Sequence, residues 1–263
     1  MVAAKEFTNN SGRFCATYSF YLFLASLWVS YKITVVRKLV AGAEYTIHTV
    51  VMLNTIKNHQ KIFVKQSFEL AEIFDFETRN KYRICDEAGR DIAFAAEQQK
   101  GFLGFLFRQF FGHWRSFEIH FYDVDRKEFM IARHPFRWFF QRIDLFGIEG
   151  RQIGSIERRF SILAKRFEVQ DPHGRVLLEV SSPIWRIWTF PFMHGGREVS
   201  RISKKWTGLG YELFTDKDTF LVEYNDPALS QEERALVLTA AIYVDLMFFE
   251  KKGSGGGINL LAD

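Results

Sequence analysis

The chain has 263 residues, 48% of them hydrophobic and 17% aromatic, which is ample for one large core or two small ones and excludes a disordered chain. Thirty-five basic against 31 acidic residues leave a net charge of +4, scattered and not gathered into one run, which argues against a dedicated nucleic-acid binder. Cys15 and Cys85 share no motif spacing, so neither a disulfide framework nor a zinc site is supported, and a reducing compartment fits best.

The first 51 residues differ from the rest. Phe14 to Tyr31 is an uncharged run between Arg13 and Lys32, long enough for a short membrane anchor or a signal-peptide core, but interrupted by Thr17, Tyr18, Ser19, Tyr21, Ser26 and Ser30. A third reading takes Met52 as the native start, because the domain-like pattern begins there. Residues 1–51 are therefore expected to be an extension, 52–250 the folded domain and 251–263 a flexible glycine-rich tail.

From Lys81 onward the period is two. Six segments run alternating apolar residues through a turn into a second alternating set, the pattern of half-buried hairpins. Tyr82 and Ile84 lead through Asp86–Gly89 to Ile92 and Phe94. Phe117 and Ile119 lead to Phe129 and Ile131, Ile143 and Leu145 to Ile153 and Ile156, and Phe167 and Val169 to Val176, Leu178 and Val180. Phe190 and Phe192 turn at Gly195-Gly196 toward Val199 and Ile202, and Tyr211 and Leu213 lead to Phe220, Val222 and Tyr224. Gly150–Phe160 (GRQIGSIERRF) and Gly196–Trp206 (GREVSRISKKW) share the glycine, the arginine and the later isoleucine and match in type at Ile153/Val199, Arg158/Lys204, Arg159/Lys205 and Phe160/Trp206, so one hairpin is duplicated in the other.

Ser230 and Glu233 stand in capping-box register before SQEERALVLTAAIYVDLMFF, which is apolar on every side past Arg234. Such a helix is buried in something, lipid or protein. Asp245 is costly near a bilayer centre. Repeated antiparallel hairpins leave open edges unless the sheet closes, and closure at twelve strands makes a lumen that needs a filler. The expected fold is all-β with a central helix: a closed twelve-stranded antiparallel barrel enclosing the C-terminal helix through Leu238, Ile242, Asp245, Leu246 and Phe249.

Several runs in order carry a family resemblance: Phe63-Val64-Lys65-Gln66, Glu69-Leu70-Ala71-Glu72, Phe76 to Tyr82, Ala95-Ala96-Glu97, Ile202 to Gly208, Phe214 to Phe220 and Asp245 to Glu250. Together they resemble the phospholipid scramblase family over about residues 52–250. The resemblance implies a Tubby-like fold, a twelve-stranded barrel around a hydrophobic helix. It also implies Ca²⁺-linked bidirectional movement of phospholipid between leaflets, at the cytoplasmic face of the plasma membrane.

The departures from the family pattern are specific. The loop that carries a cysteine cluster in the animal members here reads Pro135 to Arg142 (PFRWFFQR), so thioester lipid anchoring is not expected. Arg137, Trp138, Phe139 and Phe140 take its place. A second aromatic stretch, Gly101 to Arg115, contributes Phe105, Phe107, Phe110, Phe111 and Trp114. Rings beside arginine suit the headgroup boundary of a bilayer, and equally suit packing on a barrel end. Asp216 and Asp218 stand where the family loop offers its first two calcium ligands. Position twelve of that loop is Pro227 and the nearest carboxylate Asp226, so the motif is incomplete and a turn role is the alternative.

Arg197, Arg201, Lys204 and Lys205 are candidate contacts for anionic headgroups. No nucleophile elbow, P-loop, dinucleotide fingerprint or zinc-protease motif is present, and the seven histidines lack ligand spacing, so no enzymatic chemistry is expected. Two functions remain open: lipid translocation, and a membrane-surface phospholipid-binding or scaffold module without translocation.

Overall fold

A computed structural model describes residues 31, 32, 34, 40, 42–67, 80–98, 116–137, 139–161, 164–183, 185, 186, 188–205 and 219–248. The chain divides into two compact units, Met1–Tyr45 and Thr46–Asp263. The described residues of the first unit are helical.

The second unit begins with helical residues 46–57, here α1. Twelve strands follow: β1 Lys61–Gln66, β2 Lys81–Cys85, β3 Asp91–Gln98, β4 Phe117–Tyr122, β5 Glu128–His134, β6 Arg142–Gly147, β7 Gln152–Arg159, β8 Ala164–Gln170, β9 Val176–Pro183, β10 Thr189–His194, β11 Arg197–Lys205 and β12 Thr219–Tyr224. The chain then forms α2, Gln231–Phe248. Each strand pairs antiparallel with its neighbours in sequence, and β1 closes the barrel on β12 through Lys61↔Glu223 to Lys65↔Thr219.

The closed twelve-stranded barrel agrees with the sequence expectation, but one strand differs. Tyr211 and Leu213 lie outside the described residues, and β11 pairs directly with β12. The remaining place is taken by β1, whose Ile62, Phe63 and Val64 are all buried.

An antiparallel meander sorts its connections onto two ends. Five hairpin turns, β2–β3, β4–β5, β6–β7, β8–β9 and β10–β11, share one end, the turn end. Four of them repeat one geometry, in which the first turn residue bonds the residue four on and accepts from the residue three on: Asp86 with Arg90 and Gly89, Asp123 with Lys127 and Arg126, Gly147 with Arg151 and Gly150, Asp171 with Arg175 and Gly174. The fourth residue has positive φ in every case, which glycine adopts at no steric cost and which Arg126 adopts at φ 64°. A register shift beside each turn marks the accompanying bulge.

Inside the barrel lies α2. Ser230 and Glu233 form the capping box, with Glu233 N–H donating to Ser230 Oγ at 3.1 Å and Ser230 N–H to Glu233 Oε2 at 2.8 Å. Its 18 residues make a rod of about 27 Å. Ala235 through Leu246 are buried, sharing one core with the inward rings of Phe121, Phe129, Phe190, Phe192 and Phe220. Gly154 on β7 makes room for it: a Cβ there would stand 2.8 Å from Leu236 Cδ1 and 2.5 Å from the Gln170 carbonyl oxygen. Asp245, the acid that argued against lipid, accepts a hydrogen bond from Tyr82 Oη at 2.9 Å. Among the described residues no helix is long and apolar enough to cross a membrane.

The turn end is covered by α1. Its Met52, Leu53 and Ile56 complete the core. His48 Nε2 meets Asp123 Oδ2 at 2.8 Å, and Thr49 Oγ1 lies 2.9 Å from both the Phe129 carbonyl and Glu149 Oε2. Asp86 and Asp171 bind their own Arg90 and Arg175 at the equivalent oxygen, so on the Asp123 turn His48 stands where those turns place their arginine. Arg234, from the first turns of α2, donates to the carbonyls of Lys57 and His59, both at 3.0 Å, and satisfies acceptors that the end of α1 leaves open.

Candidate functional site at the loop end of the barrel

The end opposite the turns carries the longer connections, and several of its described side chains are exposed rings. Phe139 is 79%, Phe160 74% and Trp185 72% exposed, with Phe136 and Phe140 also open to solvent. They come from three successive connections, β5–β6, β7–β8 and β9–β10. Such rings gain nothing from water, and three connections that project them from one end form a face suited to an apolar or interfacial partner.

Cations surround them in two tiers. On the outer wall three arginines meet acids: Arg133 Nε lies 3.3 Å from Glu118, Arg142 Nε 2.7 Å from Asp144 and Arg159 2.6 Å from Glu168. Glu168 is held below the usual carboxylate range, chiefly by that arginine. The inner tier follows from strand alternation. Arg158, Lys165 and Lys204 share parity with the core residues Ile156, Phe167 and Ile202, so they face the mouth above the C-terminal part of α2. Lys165 Nζ sits 5.3 Å from the Phe190 ring centroid, and Lys204 Nζ 5.4 Å from that of Trp188 and 5.3 Å from that of Phe220. Burial first, then the charge of Arg158, pulls the Lys165 ammonium from 10.5 down to about 8. Across the mouth the inward positions are amide and acid: Gln66 donates to Asn80 at 2.9 Å and Asn80 to Glu97 at 2.7 Å.

Comparison with known proteins matches residues 41–251 to the family model described as Scramblase, more than half of the chain. The chain belongs to the scramblase family. It is similar to phospholipid scramblase 2 of Bos taurus, 28% identical over 205 residues, which cover 72% of this chain and 68% of the relative. Phospholipid scramblase 1 of Homo sapiens is 27% identical over 217 residues, covering 77% and 67%. A phospholipid scramblase family protein of Schizosaccharomyces pombe is 21% identical over 235 residues, covering 76% and 62%. The scramblase match begins ahead of Met52 and takes in α1, whose His48 and Thr49 hold the turn end; a chain starting at Met52 would lack both contacts.

The scramblase fold brings some of the expected site residues together and separates others. Of the expected membrane-contact residues, Phe139 and Phe140 are exposed at the loop end, and Arg137 stands beside them. Phe105, Phe107, Phe110, Phe111, Trp114 and Trp138 lie outside the described residues, though the chain leaves at Gln98 and returns at Ser116 at this same end. Phe160 and Trp185 were not singled out from sequence. Each stands in a short connection, 160–163 and 184–188, far from Phe139 in sequence, and only the topology shows that they join it.

The four expected headgroup cations do not form one site. Arg197 begins β11 at the turn end, where it pairs with Asp226, and Arg201 on the outer wall is held by Glu198 at 2.8 and 3.0 Å. Only Lys204 faces the mouth, and the side chain of Lys205 lies outside the described residues. Of the helix residues, Leu238, Ile242, Asp245 and Leu246 are buried in the barrel, while Phe249 lies outside the described residues.

The expected calcium set is only partly within the described residues: Asp216 and Asp218 lie outside them. Asp226 follows the end of β12, and its carboxylate holds Arg197 and the Ala228 amide. Among the described residues no group of three His, Cys, Asp or Glu side chains is placed to hold a metal. Cys85 is buried and donates to Asp91 at 3.2 Å; burial and that carboxylate push its thiol up to about 12, which makes it unreactive.

Proposed function

We propose that this chain works on phospholipid bilayers from their surface, seating its loop end among the headgroups. The observation that carries this is the gathering of Phe136, Phe139, Phe140, Phe160 and Trp185 on one end, above an inner tier of cations. Rings rest at the apolar edge of the headgroup layer while ammonium and guanidinium groups meet phosphate, an arrangement neither end of an ordinary solvated barrel needs.

The relatives are named for moving phospholipids, and transfer of that name points to exchange between leaflets as the reaction this docking serves. A barrel filled by α2 offers no lumen for a headgroup, so the route is the bilayer itself, thinned where the rings wedge in. Calcium enters no step of this reading, in which Asp226 serves as the partner of Arg197.

Replacing Phe139, Phe140, Phe160 and Trp185 by Ser should weaken binding to phosphatidylcholine vesicles containing phosphatidic acid by about a hundredfold, with the thermal unfolding midpoint unchanged. Unaltered vesicle binding would refute the docking. Reconstitution with a fluorescent-lipid bleaching assay separates translocation from surface binding, since only a translocator exposes inner-leaflet lipid. The expected result is exchange that does not respond to Ca²⁺; a barrel that binds vesicles but leaves the inner leaflet protected is instead a binding module.

A further inference from the structure

We infer that the cleft between β1, β12 and the start of α2 is a site for one carboxylate, that of a small organic acid, with the Arg234 guanidinium as its charged wall.

The cleft has a volume of about 240 Å³ and lies at the turn end, lined by Lys61 of β1, Glu223 and Tyr224 of β12, Asn225 and Pro227 of the connection that follows, and Arg234 of α2. A single water needs far less room, and pockets that enclose drug-sized ligands start at about 300 Å³, so the occupant is small. Arg234 is 4% exposed and is held in place by its neighbours. It lies over the Tyr224 ring, 4.8 Å from the centroid, and Tyr224 Oη donates to the Arg234 carbonyl at 2.9 Å. Its guanidinium donates to backbone carbonyls and to no acid: those of Lys57 and His59 at 3.0 Å, and those of Leu229 and Asp226 at 3.4 Å. Carbonyls satisfy its hydrogens but supply only partial charge.

The charges around it cancel in pairs. Lys61 Nζ meets Glu223 at 4.0 Å, and Arg201 is held by Glu198. Asp226 gives one carboxylate oxygen to Arg197 and the other to the Ala228 amide at 2.9 Å. Among the described residues this leaves Arg234 as the odd charge, buried and on the wall of the cleft. Burial draws its pKa below the usual arginine range, with Tyr224 and Asp226 only partly opposing. A cation withdrawn from water with no acid of its own is costly, and an acid seated beside it offsets that cost.

The class of ligand follows from the count. One odd cation matches one carboxylate, whereas a doubly charged phosphate exceeds it. Arg234 Nε and Nη2 make the two long contacts, and together they are the edge by which a guanidinium takes a carboxylate through two parallel bonds. Pro227 offers the carbon chain of the acid an apolar wall. The cleft lies at the end opposite the exposed rings, so the site stands independently of the membrane reading.

The test is ¹H–¹⁵N NMR of the full chain titrated with butyrate, with 1-butanol as the uncharged match. Butyrate should give saturable shifts at the amides of Asn225, Ala228, Leu229 and Arg234 with a Kd of about 1 mM, and butanol none. Arg234→Gln should abolish them. Because that variant also loses the bonds to Lys57 and His59, two rim variants that leave Arg234 in place decide the matter. Glu223→Gln removes the acid nearest the cleft and should tighten butyrate by about threefold; Lys61→Gln leaves Glu223 unpaired there and should weaken it by about threefold. Absent shifts, equal shifts with butanol, shifts of the same size at exposed Arg90 and Arg175, or rim variants that bind butyrate like the wild type overturn the site.

Discussion

Asp245 shows how one residue decides where a helix belongs. A carboxylate in an apolar helix needs a donor, and Tyr82, inward-facing on β2, supplies one at 2.9 Å. Tyr82→Phe is expected to lower stability by about 1–3 kcal/mol in chemical denaturation, because it strips a buried acceptor of that donor. The residue scale also fixes a pH dependence. Lys165 loses its proton near pH 8 in the fold against 10.5 ordinarily, so between those values the unfolded chain binds more protons and stability rises with pH. Lys165→Met should abolish that part of the rise in thermal scans, and a variant with the wild-type slope would show that Lys165 titrates normally. The pairing of Asp245 was foreseeable only as a need: the acid stands out in the sequence, but its partner lies 163 positions away.

At the scale of elements, the legible parts were those with strong local signals. The capping box at Ser230 and Glu233 and the hairpins read from alternation correspond to α2 and to β2 through β12. β1 escaped because Ile62, Phe63 and Val64 are all buried, which erases the alternation that marked the others. α1 escaped for a different reason. Thr49, Met52, Leu53 and Ile56 do form a stripe at helical spacing, but it is only two turns long, too short to stand out as an amphipathic helix. Its grip on the turn end is polar as well as apolar. His48→Ala with Thr49→Val removes both carboxylate contacts and should raise amide exchange across 46–57 by about tenfold while β7 and α2 stay protected. Equal exchange in the variant would mean that Leu53 and Ile56 alone hold the helix.

The whole molecule is a barrel with two unlike ends, and that is what no window of sequence displays. Asp-led turns and α1 close one end; rings and inward cations open on the other. Of the expected headgroup cations, Arg197 and Arg201 proved to be tied to acids along a strand that runs from one end to the other, because a charge run in sequence is dispersed by extended geometry. Phe160 and Trp185, single rings in separate connections, are brought to one face by closure of the sheet. The most direct measurement of this polarity is paramagnetic broadening from a nitroxide carried in the acyl region of phosphatidylcholine vesicles containing phosphatidic acid, read residue by residue. A loop end seated in the headgroups with α2 still inside the barrel predicts broadening at Phe139, Phe140, Phe160 and Trp185, and none at Leu238, Ile242 or the turn at Asp171–Arg175. Broadening of Leu238 and Ile242 as strong as that of Phe139 would place the helix in lipid and contradict it.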